Sequence, residues 1–189
     1  NCPNGVRLDT LDEEILNAMR SSGCYALSIG IESGSQRILD DVKKKQTVEL
    51  VREKVLLIHR SGIQAIGFFM LGFPQETREE MEKTIKLSLS LPLIRANYMF
   101  FHPFPGSELY NEIAEREGEE RIRMENTPLG KVAYIPRGFT SGELKRIQVG
   151  AFRRFYLKPK HILSLILNLR SLSQVYYILR RIIRWIFFK

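Results

Sequence analysis

The sequence predicts an α/β protein built on parallel strands, because apolar segments of strand length alternate with segments that have helical periodicity. Three strands are predicted at Tyr25–Ile31, Gln64–Leu71 and Ala96–Phe101. Each is apolar throughout, as expected for parallel strands that are buried on both faces of a sheet. Residues 6–9 have the pattern of a strand end, which indicates an earlier strand before the first helix. The order of these elements favours repeated βαβ units.

Short sequence signals predict where the helices begin. The capping-box patterns Thr10–Glu13 and Thr77–Glu80 each open a helix, and Thr47 and Ser107 cap two more. A further short helix is predicted at residues 36–41. In the first helix, an apolar stripe at helical spacing predicts the buried face, formed by Leu11, Ile15, Ala18 and Met19.

The composition excludes several classes of protein. With 44 % hydrophobic residues, the chain is neither disordered nor collagen-like, and two Cys among 189 residues exclude a disulfide scaffold. Those two Cys cannot form an iron–sulfur or zinc site alone, because such sites take about four ligands. A reduced, cytoplasmic compartment follows. Since the chain begins with Asn1 and has no signal peptide, we expect it to be the C-terminal piece of a longer protein.

The positive charge is concentrated in the last quarter of the chain. The net charge is +8, but residues 143–189 carry eleven Lys and Arg against a single acid, whereas residues 1–142 carry a net charge of −2. Nucleic acid is therefore not the expected partner of the body of the protein. Residues 119–142 are rich in Pro and Gly and predict an irregular connecting segment, and residues 143–189 predict a basic, amphipathic helical extension.

The extension has two possible roles. No uncharged run within residues 162–189 reaches the roughly 18 residues that a membrane-spanning helix needs. Its apolar residues alternate with Arg, which suits a helix lying on an anionic membrane surface, here the inner one. A helix that packs on the body, or on a domain outside this chain, would have the same pattern.

Polar residues follow each predicted strand. In parallel α/β sheets the carboxyl ends of the strands share one edge, so four such ends in register predict a site for a polar ligand. The residues at these ends are Arg7 and Asp9, then Glu32 and Ser33, then Gln75 and Glu76, then His102.

Several of these residues allow two interpretations. Glu32 follows an apolar strand and needs a partner, which could be a ligand hydroxyl or ammonium, or Arg7 in an internal ion pair. Gly34 and Gly72 permit a close backbone approach or positive φ at a ligand, or form tight turns. His102 is an acid–base candidate by residue type, or a hydrogen-bonding loop residue. The sequence contains no Ser/His/Asp set, phosphate-binding glycine motif or glycosidase-like carboxylate pair.

Two strings, GCYALSIGIESGSQRIL and GIQAIGFFMLGFPQET, resemble the radical S-adenosylmethionine (radical SAM) superfamily. The pieces PNGVRLDTLDEEIL and FHPFPGSELY extend the resemblance over about residues 3–110, and its nearest subgroup is the methylthiotransferase-like and cobalamin-binding-domain enzymes. The resemblance implies that residues 1–118 are the second, C-terminal half of a partial (βα)6 TIM-like barrel.

The resemblance also implies a set of cofactor-binding residues. In such proteins Arg7 would line the barrel mouth, and Glu32 and Ser33 would lie near the ribose and methionine parts of S-adenosylmethionine. The segment from Phe69 to Pro74 would pass the adenine. The cofactor-binding set is therefore Arg7, Glu32, Ser33, Phe69, Gly72, Phe73 and Pro74, and no catalytic residue is assigned.

The sequence departs from the family in one respect. The CxxxCxxC loop that binds the [4Fe–4S] cluster is absent, as is the Gly-Gly-Glu type segment of the second strand. The resemblance implies a fragment of an enzyme whose cluster and S-adenosylmethionine generate a 5′-deoxyadenosyl radical or support cobalamin-dependent methyl transfer. The cluster ligands, the missing N-terminal half and a cobalamin domain would lie outside this chain, which alone would be inactive. The alternative is a non-catalytic module that docks to a membrane surface or a partner through its basic tail.

Overall fold

The computed structural model describes residues 1–122 and 132–159. Within these residues the chain forms four strands: β1 Cys2–Val6, β2 Ala26–Glu32, β3 Gln64–Leu71 and β4 Leu93–Phe100. The helices of the same residues are α1 Glu13–Ser21, α2 Gln36–Asp41, α3 Val48–Arg60, α4 Arg78–Ser90, α5 Glu108–Glu117 and α6 Ser141–Tyr156. This alternation confirms the predicted α/β class.

The four strands form one parallel sheet in the order β1-β2-β3-β4. Each strand therefore lies beside the strand that precedes it in the chain, and all four carboxyl ends meet at one edge. Consecutive parallel strands joined by helices are the unit from which (βα) barrels are built. The predicted strand ends consequently share an edge.

The two faces of β3 and β4 differ in burial, which corrects the expectation of strands buried on both faces, whereas residues 26–29 of β2 are all buried as expected. Along β3 the residues alternate, so that Phe69 is buried whereas Phe68 and Met70 are only half-buried. The buried face packs against helices: the ring of Phe69 stacks on Tyr98, whose hydroxyl lies 2.5 Å from the Ser88 hydroxyl on α4. The apolar run therefore reflects one helix-covered face and one half-buried face.

The predicted helix starts are confirmed except for the first. The side chains of Thr47, Thr77 and Ser107 accept hydrogen bonds from backbone N–H groups at their helix starts, and Thr77 forms a full capping box with Glu80. The prediction for α1 was wrong, because its N-cap is Asp12.

The first helix starts late because residues 8–10 form a separate 3₁₀ turn. The Thr10 hydroxyl donates to the Arg7 carbonyl and is not available to cap a helix. Residues 7–9 consequently lie beyond β1 and do not extend it. The helix is also rotated from the predicted face: Leu16 is its fully buried residue, and Ile15 is exposed.

The chain divides into two units, residues 1–155 and 156–189, and all of α6 except its last residue belongs to the first. Leu144, Ala151 and Phe155 of α6 are buried, and Phe152 meets the Tyr98 ring edge-on at a centroid distance of 5.1 Å. Of the extension predicted at residues 143–189, the described part is residues 143–159, most of which belong to α6, and residues 160–189 lie outside the described residues. In the described part, no helix combines the length and apolar character needed to span a membrane.

An apolar cluster gathers residues from the loops and helices that follow the strands. It contains Ile38, Phe73, Phe101, Ile113, Ile122 and Tyr134, and Met70 on the half-buried face packs against it. Ile122 and Tyr134 belong to the predicted connecting segment, of which residues 123–131 lie outside the described residues. The described parts of this segment therefore contribute to the core near the carboxyl edge.

Candidate functional site

The carboxyl end of β2 places Glu32 on the half-buried face of the sheet. Its backbone adopts φ +65°, a conformation that non-glycine residues rarely take. The side chain lies back over Gly30: a Cβ added to Gly30 would come within 2.6 Å of Oε1 of Glu32 and 3.1 Å of Nζ of Lys44. Gly30 therefore leaves the space that these two charged groups occupy.

Glu32 pairs with Lys44, which lies in the turn between α2 and α3. The Lys44 ammonium donates to Oε1 of Glu32 at 2.8 Å, and the Glu32 side chain is only 15 % exposed. Its other oxygen, Oε2, is buried and has no hydrogen-bond partner among the described residues. A buried carboxylate oxygen without a donor is costly, and it is the kind of group that a ligand donor can satisfy.

The turn that carries Lys44 is attached to the end of β2. The Gln46 side-chain amide donates to the Ile31 carbonyl at 2.9 Å, which fixes the turn beside the strand. A buried carboxylate such as Glu32 needs a partner, and this need was the signal in the sequence that pointed toward a cation such as Lys44. The sequence left two partners open for Glu32, a ligand group or Arg7 on the neighbouring strand, and Lys44 was not among them.

The hypothesis of an Arg7–Glu32 ion pair is wrong. Arg7 pairs with Asp9 instead, through its Nε at 3.0 Å and Nη2 at 2.5 Å. This bidentate contact raises the pKa of Arg7 and lowers the pKa of Asp9. Because the Arg7 side chain is 74 % exposed, it remains accessible at the end of β1, and its contact with a cofactor stays a prediction.

Ser33 faces helix α4 and is fully buried. Its hydroxyl lies 3.2 Å from the Thr84 hydroxyl and accepts from the backbone N–H of Ser35. The next residue approaches the same helix: a Cβ on Gly34 would lie 2.5 Å from the Lys83 carbonyl oxygen. The expected close backbone approach at Gly34 is therefore observed, and the partner is α4. The hydroxyl of Ser33 already has partners. The predicted contact of Ser33 with a cofactor stays a prediction, and its backbone would make that contact.

The loop after β3 is held by Glu76. Oε2 of Glu76 accepts from the backbone N–H of Gly72 at 2.7 Å and of Phe73 at 3.1 Å, and Oε1 is buried without a partner among the described residues. Burial raises the pKa of Glu76 to about 7, against the lowering effect of the two backbone donors. Gly72 has φ +86°, which glycine adopts without strain.

The aromatic residues predicted to line the adenine have buried side chains. Phe69 stacks on Tyr98, and the ring of Phe73 lies 5.1 Å from that of Phe101. Pro74 is half-buried at the tip of the loop. Along this segment, a ligand could contact backbone groups and Pro74. The contacts of Phe69, Phe73 and Pro74 with an adenine stay a prediction.

Alternation along the strands indicates better candidates for contact from the sheet face. Phe68 is in register with Gly30, over which the Glu32 carboxylate lies, and with Asn97 of β4, and Met70 shares the face of Phe68. Phe68, Met70 and Asn97 are half-buried. These residues were not predicted, because residues 65–71 are apolar throughout and the sequence does not show which face of the strand a helix covers.

His102 follows β4 in a loop. Its ring packs against Phe104 with a centroid distance of 5.0 Å, and Nδ1 is buried without a partner within the described part of the chain. No protein group there accepts or donates at this nitrogen. The hydrogen-bonding role considered for His102 is therefore not observed at Nδ1.

The chain does not supply an iron–sulfur site. It contains two Cys, and within residues 1–122 and 132–159 no three His, Cys, Asp or Glu side chains are grouped to hold a metal. A [4Fe–4S] cluster needs about four ligands, usually thiolates. The described residues therefore do not fit such a group.

Residues 2–88 match the model of the radical SAM superfamily. The match covers β1 to most of α4, and with them the Glu32–Lys44 pair and the loop held by Glu76.

Curated relatives extend the similarity beyond residue 88. An uncharacterized methyltransferase from Pyrococcus horikoshii is 33 % identical over 181 residues, which cover 90 % of this chain and 39 % of the relative. The anaerobic magnesium-protoporphyrin IX monomethyl ester cyclase of Rubrivivax gelatinosus is 30 % identical over 148 residues, 77 % of this chain and 26 % of that enzyme. The chain thus spans between a quarter and two fifths of the length of these relatives.

A solved structure supports the fold. The radical S-adenosylmethionine methyltransferase from Kitasatospora setae, solved with cobalamin and a [4Fe–4S] cluster bound, superposes with a TM-score of 0.54 at 21 % identity. The superposition covers 75 % of this chain and 29 % of that protein. The four parallel strands described above correspond to part of a TIM-like barrel.

Proposed function

Because the chain belongs to the radical SAM superfamily, we propose that it is the C-terminal part of a radical SAM enzyme and that its carboxyl edge binds S-adenosylmethionine. The observation that carries the proposal is the Glu32–Lys44 pair, in which Oε2 of Glu32 is buried and lacks a donor. The pair lies on the half-buried sheet face, within the matched residues. A ligand that supplies a hydrogen-bond donor there removes the cost of that oxygen.

The chemistry of S-adenosylmethionine suits this pair. Its ribose hydroxyls and its ammonium group are donors, and Oε2 of Glu32 can accept from either. The Lys44 ammonium has three N–H groups and uses one on Glu32, so it can also donate to the carboxylate of the methionine part. Such charge-assisted bonds are the stronger class of hydrogen bond.

The loop after β3 would provide the second wall. Glu76 holds the backbone of Gly72 and Phe73, and Gly72 offers no side chain to obstruct a flat base. We propose that residues 69–74 run beside the adenine with their backbone, and that Phe68 and Met70 supply apolar contact from the sheet face. Arg7, accessible at the end of β1, is the proposed contact at the barrel mouth.

The cluster belongs to the part of the protein outside this chain. When bound, a [4Fe–4S] cluster supplies the electron for reductive cleavage of S-adenosylmethionine in this superfamily. The part of this chain that the structure describes contributes no ligand set for it, and its own role in the proposal is to bind and orient the cosubstrate. Two of the relatives carry methyltransferase in their names, which favours methyl transfer as the reaction of the whole protein, with cobalamin bound elsewhere in it.

Two adjacent lysines allow a matched test. Lys44 pairs with the part-buried Glu32, whereas Lys43 pairs with the exposed Glu108 on α5. Titration of S-adenosylmethionine into the complete protein by calorimetry should show a Kd raised about tenfold or more for Lys44→Met, since a hydrogen bond to a charged group contributes about 1.5–3 kcal/mol. Lys43→Met should bind as the unaltered protein does. Equal Kd values for the two variants would contradict the proposal.

The basic tail supports a second candidate function. Residues 143–189 carry a net charge of +10, concentrated in a segment that is also apolar. We propose that residues 162–189 attach the enzyme to an anionic membrane surface. This function is independent of the site on the sheet and has its own test, given in the Discussion.

A further inference from the structure

An ion pair joins the two loops that form the proposed site. Arg37, in the first turn of α2, donates from Nε to Oε1 of Glu80 at 2.7 Å and from Nη2 to Oε2 at 2.6 Å. Nη2 also donates to the Gln75 carbonyl at 3.1 Å. Arg37 follows the end of β2, whereas Gln75 and Glu80 follow β3. One guanidinium therefore connects both strand ends.

Glu80 brings together the remaining groups of the same junction. Besides Arg37, its carboxylate accepts from the Ser35 hydroxyl and from the backbone N–H of Thr77, both at 2.9 Å. Its side chain is 9 % exposed. Arg37 lowers the pKa of Glu80 to about 2, so the carboxylate is ionised throughout the physiological range. Every oxygen of this carboxylate has partners, so it offers no free position to a ligand.

The two loops that the pair joins contain strained backbone. Glu32 has φ +65° and Gln75 has φ +59°, and neither is a glycine. Such conformations cost about 1–3 kcal/mol each and persist where the surroundings over-determine them. Two sets of contacts hold the strained backbone in place here: those of Arg37 with Gln75 and Glu80, and those of Ser33 and Gly34 with Thr84.

We infer that Arg37 and Glu80 are positioning residues of the cosubstrate site: they fix the loop that carries Glu32 against the loop that runs from Gly72 to Gln75. This inference rests on the proposed function. Neither residue contacts the ligand. Their effect is to keep two walls of one site at a set separation, so that Glu32 and the Gly72 backbone reach the same molecule.

Helix α4 carries a second bidentate pair that serves as a control. Arg154 of α6 donates to both oxygens of Glu82 at 2.7 and 2.8 Å. This pair has the same chemistry and lies two residues from Glu80, but it connects α4 to α6 and touches neither loop. Its loss should reduce stability without changing the site.

The test measures S-adenosylmethionine binding and the steady-state constants of the complete protein, at a temperature where every variant is folded by circular dichroism. Arg37→Met should raise Kd and KM about tenfold, as expected for loss of coupling between contacting groups. Its kcat should fall less than its KM rises. Glu80→Gln, which keeps the capping interactions, should behave like Arg37→Met, and Arg37→Lys should recover part of the affinity. Arg154→Met should leave Kd unchanged.

Two outcomes overturn the inference separately from the function. If Arg37→Met lowers the melting temperature but binds S-adenosylmethionine as tightly as Arg154→Met does, the pair only stabilises the fold. If the effects of Arg37→Met and Glu80→Gln on the free energy of S-adenosylmethionine binding are additive in the double variant, the two residues do not act together on the site. If the unaltered protein binds no S-adenosylmethionine, the proposed function falls, and the inference falls with it.

Discussion

Glu32 and Glu76 follow neighbouring strands, and each leaves one carboxylate oxygen buried without a partner among the described residues. Their surroundings differ. Glu32 has a cation, Lys44, at 2.8 Å and lies on the half-buried face, whereas Glu76 accepts two backbone N–H groups from its own loop. The comparison distinguishes a carboxylate that is paired with a lysine on the half-buried sheet face from one that holds the backbone of its own loop. Both residues lie at strand ends, so the hydrogen-bond partners of each carboxylate distinguish the role of Glu32 from that of Glu76.

The largest expected effect concerns the loop carboxylate. Because burial raises the pKa of Glu76 from its ordinary 4.5 to about 7, the folded protein holds this proton more tightly than the unfolded chain. The resulting stabilisation is present below pH 4.5 and is lost as the pH rises to 7, by about 3 kcal/mol. Urea denaturation between pH 4.5 and 8 should show this fall, and Glu76→Gln should abolish it. The same slope in both proteins would contradict the assignment.

Glu80 should change the free energy of unfolding with pH in the opposite direction to Glu76. Its pKa is lowered to about 2, chiefly by Arg37, so its contribution is complete above pH 4.5 and is lost as the pH falls toward 2. The change should be about 2 kcal/mol, since Arg37 is 45 % exposed and solvent screens the pair. Urea denaturation of Glu80→Gln should show a shallower acid limb than that of the unaltered protein. An acid limb of unchanged steepness would show that the ion pair does not govern it.

A smaller substitution separates site geometry from stability. A Cβ on Gly30 would lie 2.6 Å from Oε1 of Glu32 and 3.1 Å from Nζ of Lys44, both at the ends of flexible side chains. Gly30→Ala should therefore displace the pair, with about a fivefold rise in the Kd for S-adenosylmethionine and less than about 1 kcal/mol of lost stability.

The control for that variant is Gly34→Ala, whose Cβ would meet the backbone of α4 at 2.5 Å. Overpacking against backbone cannot be relieved by a rotamer change, so its stability loss should exceed that of Gly30→Ala. If Gly30→Ala binds S-adenosylmethionine as tightly as the unaltered protein does, the Glu32–Lys44 pair is not part of the site.

The tail should have the least influence on either carboxylate. Deletion of residues 162–189 should leave the pH dependence of stability and the binding of S-adenosylmethionine unchanged. The deletion should, however, reduce co-sedimentation with vesicles that contain anionic lipid, because it removes the basic, apolar segment. Equal co-sedimentation of the complete and shortened proteins would contradict the membrane proposal.

Much of the fold was predictable because it depends on local signals. Strand segments, the caps at Thr47, Thr77 and Ser107, and the shared edge of the sheet follow from patterns within a few residues. The start of α1 was not predicted, since the Thr10 hydroxyl bonds to a carbonyl in a 3₁₀ turn that no capping rule anticipates. The half-buried face was missed because an apolar composition alone does not say which side of a strand a helix covers.

The site was predictable to a lesser degree because its partners are distant in sequence. The need of Glu32 for a partner was evident, but Lys44 reaches it through a turn whose path depends on Gln46 and the end of β2. The Arg37–Glu80 pair joins residues 43 positions apart and had no local signal. Strand geometry places Phe68 and Met70 on one face, but their apolar surroundings do not show that this face is half-buried. The need of Glu32 for a partner called for a cation, but it did not single out Lys44 among three adjacent lysines.

The most direct test titrates S-adenosylmethionine into the complete protein carrying either Glu32→Gln or Glu76→Gln. Glu32→Gln removes the charge that holds Lys44 and should raise the Kd about tenfold, as expected for loss of a charged hydrogen bond. Glu76→Gln keeps an oxygen for the Gly72 and Phe73 donors and should change the Kd less than about twofold. Equal changes, or a larger change for Glu76→Gln, would contradict the assignment of Glu32 to the cosubstrate.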